Sequence, residues 1–333
     1  MRRLLPLLAV LATAALLLAG CGGSGSQDAP NVDATIVLDF TPNAVHSGIY
    51  TAIARGFDTA EGVTLHVRVP GSSTDGAKLL LNGRADFAVL DIHDLALARE
   101  QGRDLVAVMA LVQQPLAAVL AQPGVRSPRD LEGRKVGVTG VPSDDAVLSS
   151  IVKGAGGDPA RVDKVTIGFN AVPALLGGKV AGATAFWDVE GVTLKRRRPR
   201  TREFRVDDYG APAYPELVLV TTGRRLREDR SVARATVAAL VRGYGTAIDD
   251  PEGSLSDLQS KVPGLDRKLL DAEMNALAPA ISPPDGQIGR LVPATLRAWA
   301  RWEVRFGIVK RTPDVGRMFD AALVPPSRDR SGD

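Results

Sequence analysis

The chain is 333 residues long, 45% hydrophobic and 24% charged, with a formal net charge of +3. That length is generous for one core and comfortable for two lobes. A charge this close to balance excludes a broad basic face for nucleic acid, and a single cysteine excludes an intramolecular disulfide.

In chain order, Arg2 and Arg3 precede a continuous apolar run, Leu4 to Ala19. The run is shorter than the ~20 apolar residues of a spanning helix and has the form of a signal peptide's hydrophobic region. It ends in Leu18-Ala19-Gly20-Cys21, which resembles a bacterial lipobox. Residues 1–20 are therefore expected to be a lipoprotein signal peptide, with Cys21 lipidated. A lone thiol in a secreted chain calls for a special reason, and lipidation supplies one. Residues 21–33 then form a tether, flexible at GGSGSQ.

Alternation sets in at Thr35–Phe40, a strand candidate followed by a helix from Ser47 closed by Gly56. Val63–Val69 is a strand rich in β-branched residues. Thr74–Leu81 is a helix with cap-type Ser72 and Ser73 before it and Asn82-Gly83 after it. Strand Asp86–Leu90, helix Ile92–Gln101 and strand Leu105–Val112 complete a pattern that argues for a parallel sheet covered by helices. The pattern changes at Gln122-Pro123-Gly124. A second α/β unit then runs through strand Lys135–Val138, helix Asp145–Gly154, strand Val165–Gly168, a short helix near Val172–Leu176 and strand Ala181–Trp187. Lys195 to Arg202 (KRRRPRTR) reads as a solvated basic loop. Glu216–Thr221 is strand-like, and Ser231 to Gly307 is helical. The expectation is an α/β chain of two lobes: residues 34–121 and 219–324 form lobe one, 122–218 form lobe two, and 325–333 form a disordered tail. Two crossovers join the lobes, with a cleft between them as the natural site.

The stretch LDFTPNAVHSGIYTAIARGF, residues 38–57, resembles the LDW-x-PN-x-x-H-x-G-x-Y opening of the NMT1/THI5-like (SsuA/THI5-like) substrate-binding proteins of ABC importers, in their thiamine-pyrimidine branch. EGVTLHV, LLNGRADFAVLD, LEGRKVGVTGVPSD and AFWDVEGV extend the resemblance over about residues 34–225. One departure is Phe40, where the motif has tryptophan; it keeps an aromatic face and lacks the indole N–H. The resemblance implies a type II periplasmic-binding-protein fold and a lipid-anchored receptor on the extracytoplasmic face of the cell membrane. It implies a monomer that passes an aminopyrimidine to permease and ATPase subunits, with no nucleic acid, no cofactor and no catalysis.

A pyrimidine is flat and studded with donors and acceptors, so its site needs ring faces and fixed polar partners. Phe40 and Trp187, each after a strand, are candidates for the two ring faces; core packing is the alternative for each. Asp39 and Glu190 are candidates for amine recognition, against ion-pair or capping roles. Asn43 either orients the turn or meets the ligand. His46, near a helix start, is a neutral donor or acceptor. Tyr50 lines the floor or the core. Asp91, His93, Gln113 and Ser143 follow strands and complete the candidate ligand set, with the backbone N–H groups of Gly140 to Ser143 as a weak anion site. His46, His93, Asp39 and Asp91 form an alternative zinc set. Riboflavin, a sulfonate or another organic ion is the alternative cargo. Fungal relatives are pyrimidine synthases that hold pyridoxal phosphate through a lysine and use a histidine as substrate. His93 matches that histidine, the lysine's place falls near Val89 or Leu90, and the synthases' cysteine-rich iron motif is absent.

Overall fold

The computed structural model describes residues 31–71, 76–282 and 286–326. The expected leader, Cys21 and most of the expected tail lie outside these residues. The described chain forms two five-stranded sheets. The first contains β1 (Val32–Val37), β2 (Val63–Arg68), β3 (Phe87–Asp91), β4 (Leu105–Ala110) and β10 (Leu217–Thr222), in the order β2-β1-β3-β10-β4. The second contains β5 (Ala117–Ala121), β6 (Lys135–Val138), β7 (Asp163–Thr166), β8 (Gly182–Phe186) and β9 (Arg202–Arg205), in the order β7-β6-β8-β5-β9. We call each sheet with its helices a lobe.

In both sheets the neighbours of the central strands are parallel, except for one strand. β10 runs antiparallel to β3 and β4, and β5 runs antiparallel to β8 and β9. These are the two strands adjacent to the crossings. A chain that leaves one sheet at the carboxyl ends of its parallel strands and enters the next from the same side must run backwards through it. Both crossings, residues 111–116 and 207–216, therefore lie at the carboxyl ends of the parallel strands, where the cleft forms. Glu216, just before β10, clasps the two together. Its Oε2 accepts from the backbone N–H of Leu116 at 2.6 Å and of Ala117 at 2.8 Å.

β3, β4 and β10 are buried along nearly their whole length, and they are accordingly nearly continuous apolar runs. Several boundaries differ from the sequence expectation. β1 begins at Val32, inside the expected tether, and ends at Val37, so Asp39 and Phe40 fall in the loop beyond it. The first crossing comes before β5, ahead of the boundary expected at 122, because the fully buried strand AAVLA belongs to the second sheet. The basic run is not one loop. Lys195 to Arg197 end a helix, Val192–Arg197, and Arg202 opens β9. Between them the Arg198 guanidinium donates to Leu175 O and Leu176 O, capping the carboxyl end of the helix Ala171–Leu176.

The helix Ser47–Ala54, which carries the turn after β1, packs against the long helix Arg230–Asp249. The approach is close enough to demand glycine on both sides. A Cβ on Gly243 would stand 2.0 Å from Gly48 O, and one on Gly48 would stand 2.5 Å from Tyr244 Cγ. The Tyr244 hydroxyl donates to Val45 O at 2.9 Å, tying the same helix to the turn. Gly243→Ala is expected to cost about 1–3 kcal/mol by overpacking, read from urea unfolding. Unchanged stability would show that the two helices sit farther apart than described.

Candidate functional site

The turn after β1 is built by its own polar side chains. Asn43 caps the short helical turn Ala44–His46: its Oδ1 accepts from Val45 N at 2.9 Å, while its Nδ2 donates to Thr41 O at 3.1 Å. The Asn43 backbone N–H donates to His46 Nδ1 at 3.2 Å. That contact places the imidazole proton on Nε2, which donates to Asp39 Oδ1 at 2.9 Å. His46 is fully buried. Asn43 and His46 are therefore braces that aim Asp39, not part of the cleft wall.

Asp39 and Phe40 enter a cleft whose empty space, including the open solvent at its mouth, is about 700 Å³. Lobe one adds Val89, Leu90, Asp91, Asp94 and Leu217 to its wall. Lobe two adds Ala117, Ala118, Thr139, Val141, Ser143, Asp144, Val147, Phe169, Thr184, Ala185, Phe186 and Glu190. The Phe40 and Phe169 rings meet edge to face, with centroids 4.5 Å apart at 73°. Five carboxylates line the cleft, from Asp39, Asp91, Asp94, Asp144 and Glu190, and no lysine, arginine or histidine is among its described lining residues.

Backbone donors fix most of these acids. Asp91 Oδ1 accepts from His93 N at 2.7 Å, capping the helix Ile92–Glu100. Asp94 Oδ1 accepts from Ser143 N at 3.2 Å, a bond between the lobes. Asp144 Oδ2 accepts from Thr139 N at 2.6 Å and Gly140 N at 3.1 Å. The turn expected to present free N–H groups to an anion is thus already satisfied by the protein's own acids. Glu190 Oε2 accepts from Phe186 N at 3.2 Å.

Burial dominates the electrostatics. It pushes Glu190 up to about 7 and Asp94 up to about 6, with Asp39 and Asp144 adding repulsion to Glu190 and Asp144 adding it to Asp94. Asp91 and Asp144 are raised for the same first reason. Beside Glu190, Asp188 is buried with no hydrogen-bond partner for either oxygen, and burial holds it well above the carboxylate range. Glu273, which accepts from Ala44 N, is raised to about 7, chiefly by burial.

The remaining expected site residues lie elsewhere. Tyr50 is buried in its helix, and that burial raises its hydroxyl to about 12. Gln113 donates to Arg290 O at 3.3 Å. Trp187 is 5% exposed; its indole N–H donates to Pro115 O at 3.0 Å, and the Arg205 guanidinium stacks 3.9 Å above its ring. The residue before it, Phe186, lines the cleft instead. His93 lies behind Asp91, fully buried, with Nδ1 against Glu303 and Nε2 donating to the Tyr214 oxygen at 3.0 Å. Burial alone would lower its pKa, but the Glu303 and Asp91 carboxylates outweigh it and raise it to about 10. The expected alternative zinc set is not assembled: His46 pairs with Asp39, and His93 belongs to this second cluster. Asp91, His93 and Glu216 do converge, but both His93 ring nitrogens already meet protein partners, Nδ1 with Glu303 and the Trp299 indole and Nε2 with Tyr214.

Sequence reasoning missed Asp94, Thr139, Asp144, Phe169, Thr184 and Phe186 as wall residues. Phe169 follows β7 as Phe40 follows β1, so the same rule would have found it.

A family model described as "NMT1/THI5 like" matches residues 43–254. The formylaminopyrimidine-binding protein of Halalkalibacterium halodurans is 30% identical over 288 residues, covering 84% of this chain and 87% of that one. The 4-amino-5-hydroxymethyl-2-methylpyrimidine phosphate synthase of Legionella pneumophila is 23% identical, covering 66% and 70%. In fold, the alkanesulfonate-binding protein of Xanthomonas axonopodis pv. citri bound to MOPS superposes with a TM-score of 0.68 at 15% identity, covering 89% and 98%.

Two outcomes follow from this geometry. Trp187→Ala is expected to destabilise the fold by about 3–5 kcal/mol, read by chemical unfolding, as befits a core residue. Glu190 has a folded pKa above its ordinary 4.5, so its protonated form favours folding. That contribution is complete below about pH 4.5 and is lost as pH rises through about 7. Measured without cargo, the Tm of Glu190→Gln relative to the parent should therefore rise between about pH 5 and about pH 8. A pH-independent difference would refute the burial of this carboxylate.

Proposed function

This chain belongs to the NMT1/THI5-like family, and from that membership and the cleft we propose that it is an extracytoplasmic receptor of an ABC importer. In this reading it captures a thiamine-related aminopyrimidine between its lobes and delivers it to a permease with its ATPase. The observation that carries the reading is the cleft wall, with five carboxylates, three phenylalanines and no cation among its described lining residues. Aminopyrimidines offer exocyclic N–H donors and a ring nitrogen that gains a proton beside a carboxylate, and charge-assisted bonds of this kind are short and strong. Asp39 and Glu190 accept these donors, and Phe40, Phe169 and Phe186 supply apolar faces for the ring. A sulfonate or phosphate would instead meet like charge on both walls, which argues against the cargo of the alkanesulfonate-binding neighbour.

The formylaminopyrimidine-binding relative supports the same cargo class. Binding rather than synthesis is supported by Val89 and Leu90, apolar wall residues in the region where the resembled synthases hold their lysine. The Arg2–Cys21 leader supports anchoring of a monomer by lipid at Cys21 on the outer face of the cell membrane. Cargo binds both lobes, so it favours whichever arrangement brings them together, in proportion to its differential affinity.

Isothermal calorimetry is the test. Heat is expected with hydroxymethyl- or formylaminomethyl-aminopyrimidine and none with an alkanesulfonate or riboflavin. Glu190→Gln should weaken binding at least about tenfold, or roughly 1.4 kcal/mol. Heat with a sulfonate or riboflavin, and none with any aminopyrimidine, would overturn the assignment.

A further inference from the structure

The near balance of charge along the chain conceals a segregation. Acids gather in the cleft. Cations gather on the outer face of the helix Pro293–Phe306 and in the segment after it. Between Pro293 and Met318 there are six cations and two acids, and one of the acids, Glu303, is buried against His93. Arg297, Arg301 and Arg305 recur at every fourth residue of the helix, all exposed and so on one face. Like charges at this spacing destabilise a helix. Leu296, Trp299 and Trp302, buried on the opposite side, hold the helix in place against that repulsion.

The positive charge is not neutralised within the protein. Arg297, Arg301, Arg305, Lys310, Arg311 and Arg317 are exposed, and none pairs with a carboxylate among the described residues. Elsewhere arginines such as Arg55, Arg230 and Arg267 do hold carboxylates. The acids that come near are engaged by backbone. Asp314 accepts from Arg317 N at 3.2 Å, and Glu100 from Lys310 N at 2.7 Å and Arg311 N at 3.0 Å. The face also has an apolar element. Val304, between Arg301 and Arg305, is 36% exposed and is one of four large apolar side chains exposed among the described residues. Arg297 and Arg301 border a groove with Leu296 and Phe319, about 980 Å³ with the solvent at its mouth included. The lobe-two run KRRRPRTR is different: Lys195 and Arg205 converge on Glu203, and Arg198 caps a helix.

We infer that the outer face of the helix Pro293–Phe306 docks on an anionic phospholipid surface. The inference rests on the reading above that places the chain at a membrane. A row of guanidiniums without counter-charges is complementary to a sheet of lipid phosphates, which Arg binds with paired N–H donors. Lipids diffuse, so anionic headgroups collect beneath the fixed row and relieve its repulsion. Val304 enters the interfacial layer between the arginine stems, as apolar residues of surface-lying helices do. The groove gives a headgroup room beside Arg297 and Arg301.

The test is co-sedimentation with vesicles. The chain from Gly22 onward is used. It contains both sheets and their helices, and it lacks Cys21 and the apolar leader, so neither can carry it to lipid. It is expected to sediment with vesicles of equal parts phosphatidylglycerol and phosphatidylcholine, and to stay in solution with pure phosphatidylcholine. Raising salt from about 0.1 M to about 1 M, which shortens the screening length from ~10 Å to ~3 Å, should release it. Arg297→Gln/Arg301→Gln/Arg305→Gln is expected to need at least about thirtyfold more anionic lipid for half-maximal binding. Its Tm should equal or exceed the parent's, because like charges have been removed. Arg196→Gln/Arg197→Gln/Arg200→Gln should shift binding by less than about threefold. Failure to bind anionic vesicles, equal binding to neutral ones, a helix variant that binds like the parent, or an equal loss in the lobe-two variant would each overturn the inference. Retention by polyglutamate without retention by anionic vesicles would assign the face to an acidic protein and overturn it too. The vesicles carry no cargo and the chain no lipid, so failure here leaves the receptor reading standing. Absence of heat with every cargo would leave vesicle binding untouched.

Discussion

Glu216 holds the two lobes in register. Its carboxylate takes two backbone N–H groups from the opposite crossing, a job that water would otherwise do at the floor of a cleft. Behind it, His93 stands 3.8 Å from Glu216 Oε1 and is itself gripped by Glu303 and Tyr214. A buried imidazolium among carboxylates is stable only because each charge has a partner, and removal of one member leaves the others exposed to the full desolvation cost. The cluster therefore joins the last helices of the chain, through Glu303, to the strand ends that carry Asp91 and Leu217. The cleft inherits its shape from this floor.

The cleft reverses that logic. At the floor, Glu303 and Glu216 are grouped around His93; on the wall, five carboxylates line one cleft, four of them held by backbone N–H groups. Asp39 shows how the two are combined. His46 donates one proton to it, with its tautomer set by the Asn43 backbone, so the carboxylate is aimed without being neutralised. Preorganisation of this kind lowers the ordering cost of binding. The surrounding apolar surface raises the strength of any charge-assisted bond made there, because the local dielectric is low.

Much of this was legible before any coordinates. Parallel strands announced themselves as β-branched runs separated by helices, and of the candidate residues near strand ends, Asp39, Phe40, Asp91, Ser143 and Glu190 line the cleft. What failed did so for identifiable reasons. β5 is alanine-rich and follows β4 after only a short crossing, so no strand was expected there and residues up to 121 were kept with lobe one. β9 is an arginine-bearing edge strand and looks like loop. Trp187 was misplaced by one residue: β8 ends at Phe186, and Trp187 opens the helical turn after it, where its indole N–H meets Pro115 O. Asn43 and His46 have the composition of ligand groups, but only the fold reveals that the backbone has already claimed them.

The Asp94–Ser143 bond crosses the mouth between the lobes. A single bond of this type contributes about 0.5–1.5 kcal/mol, which biases the pair of lobes toward contact by roughly two- to tenfold and no more. Such a fastening is weak enough to be broken thermally many times before a scarce solute arrives. It sets a residence time rather than a barrier. A fastening this weak can open without disturbing the acids and rings that line the cleft.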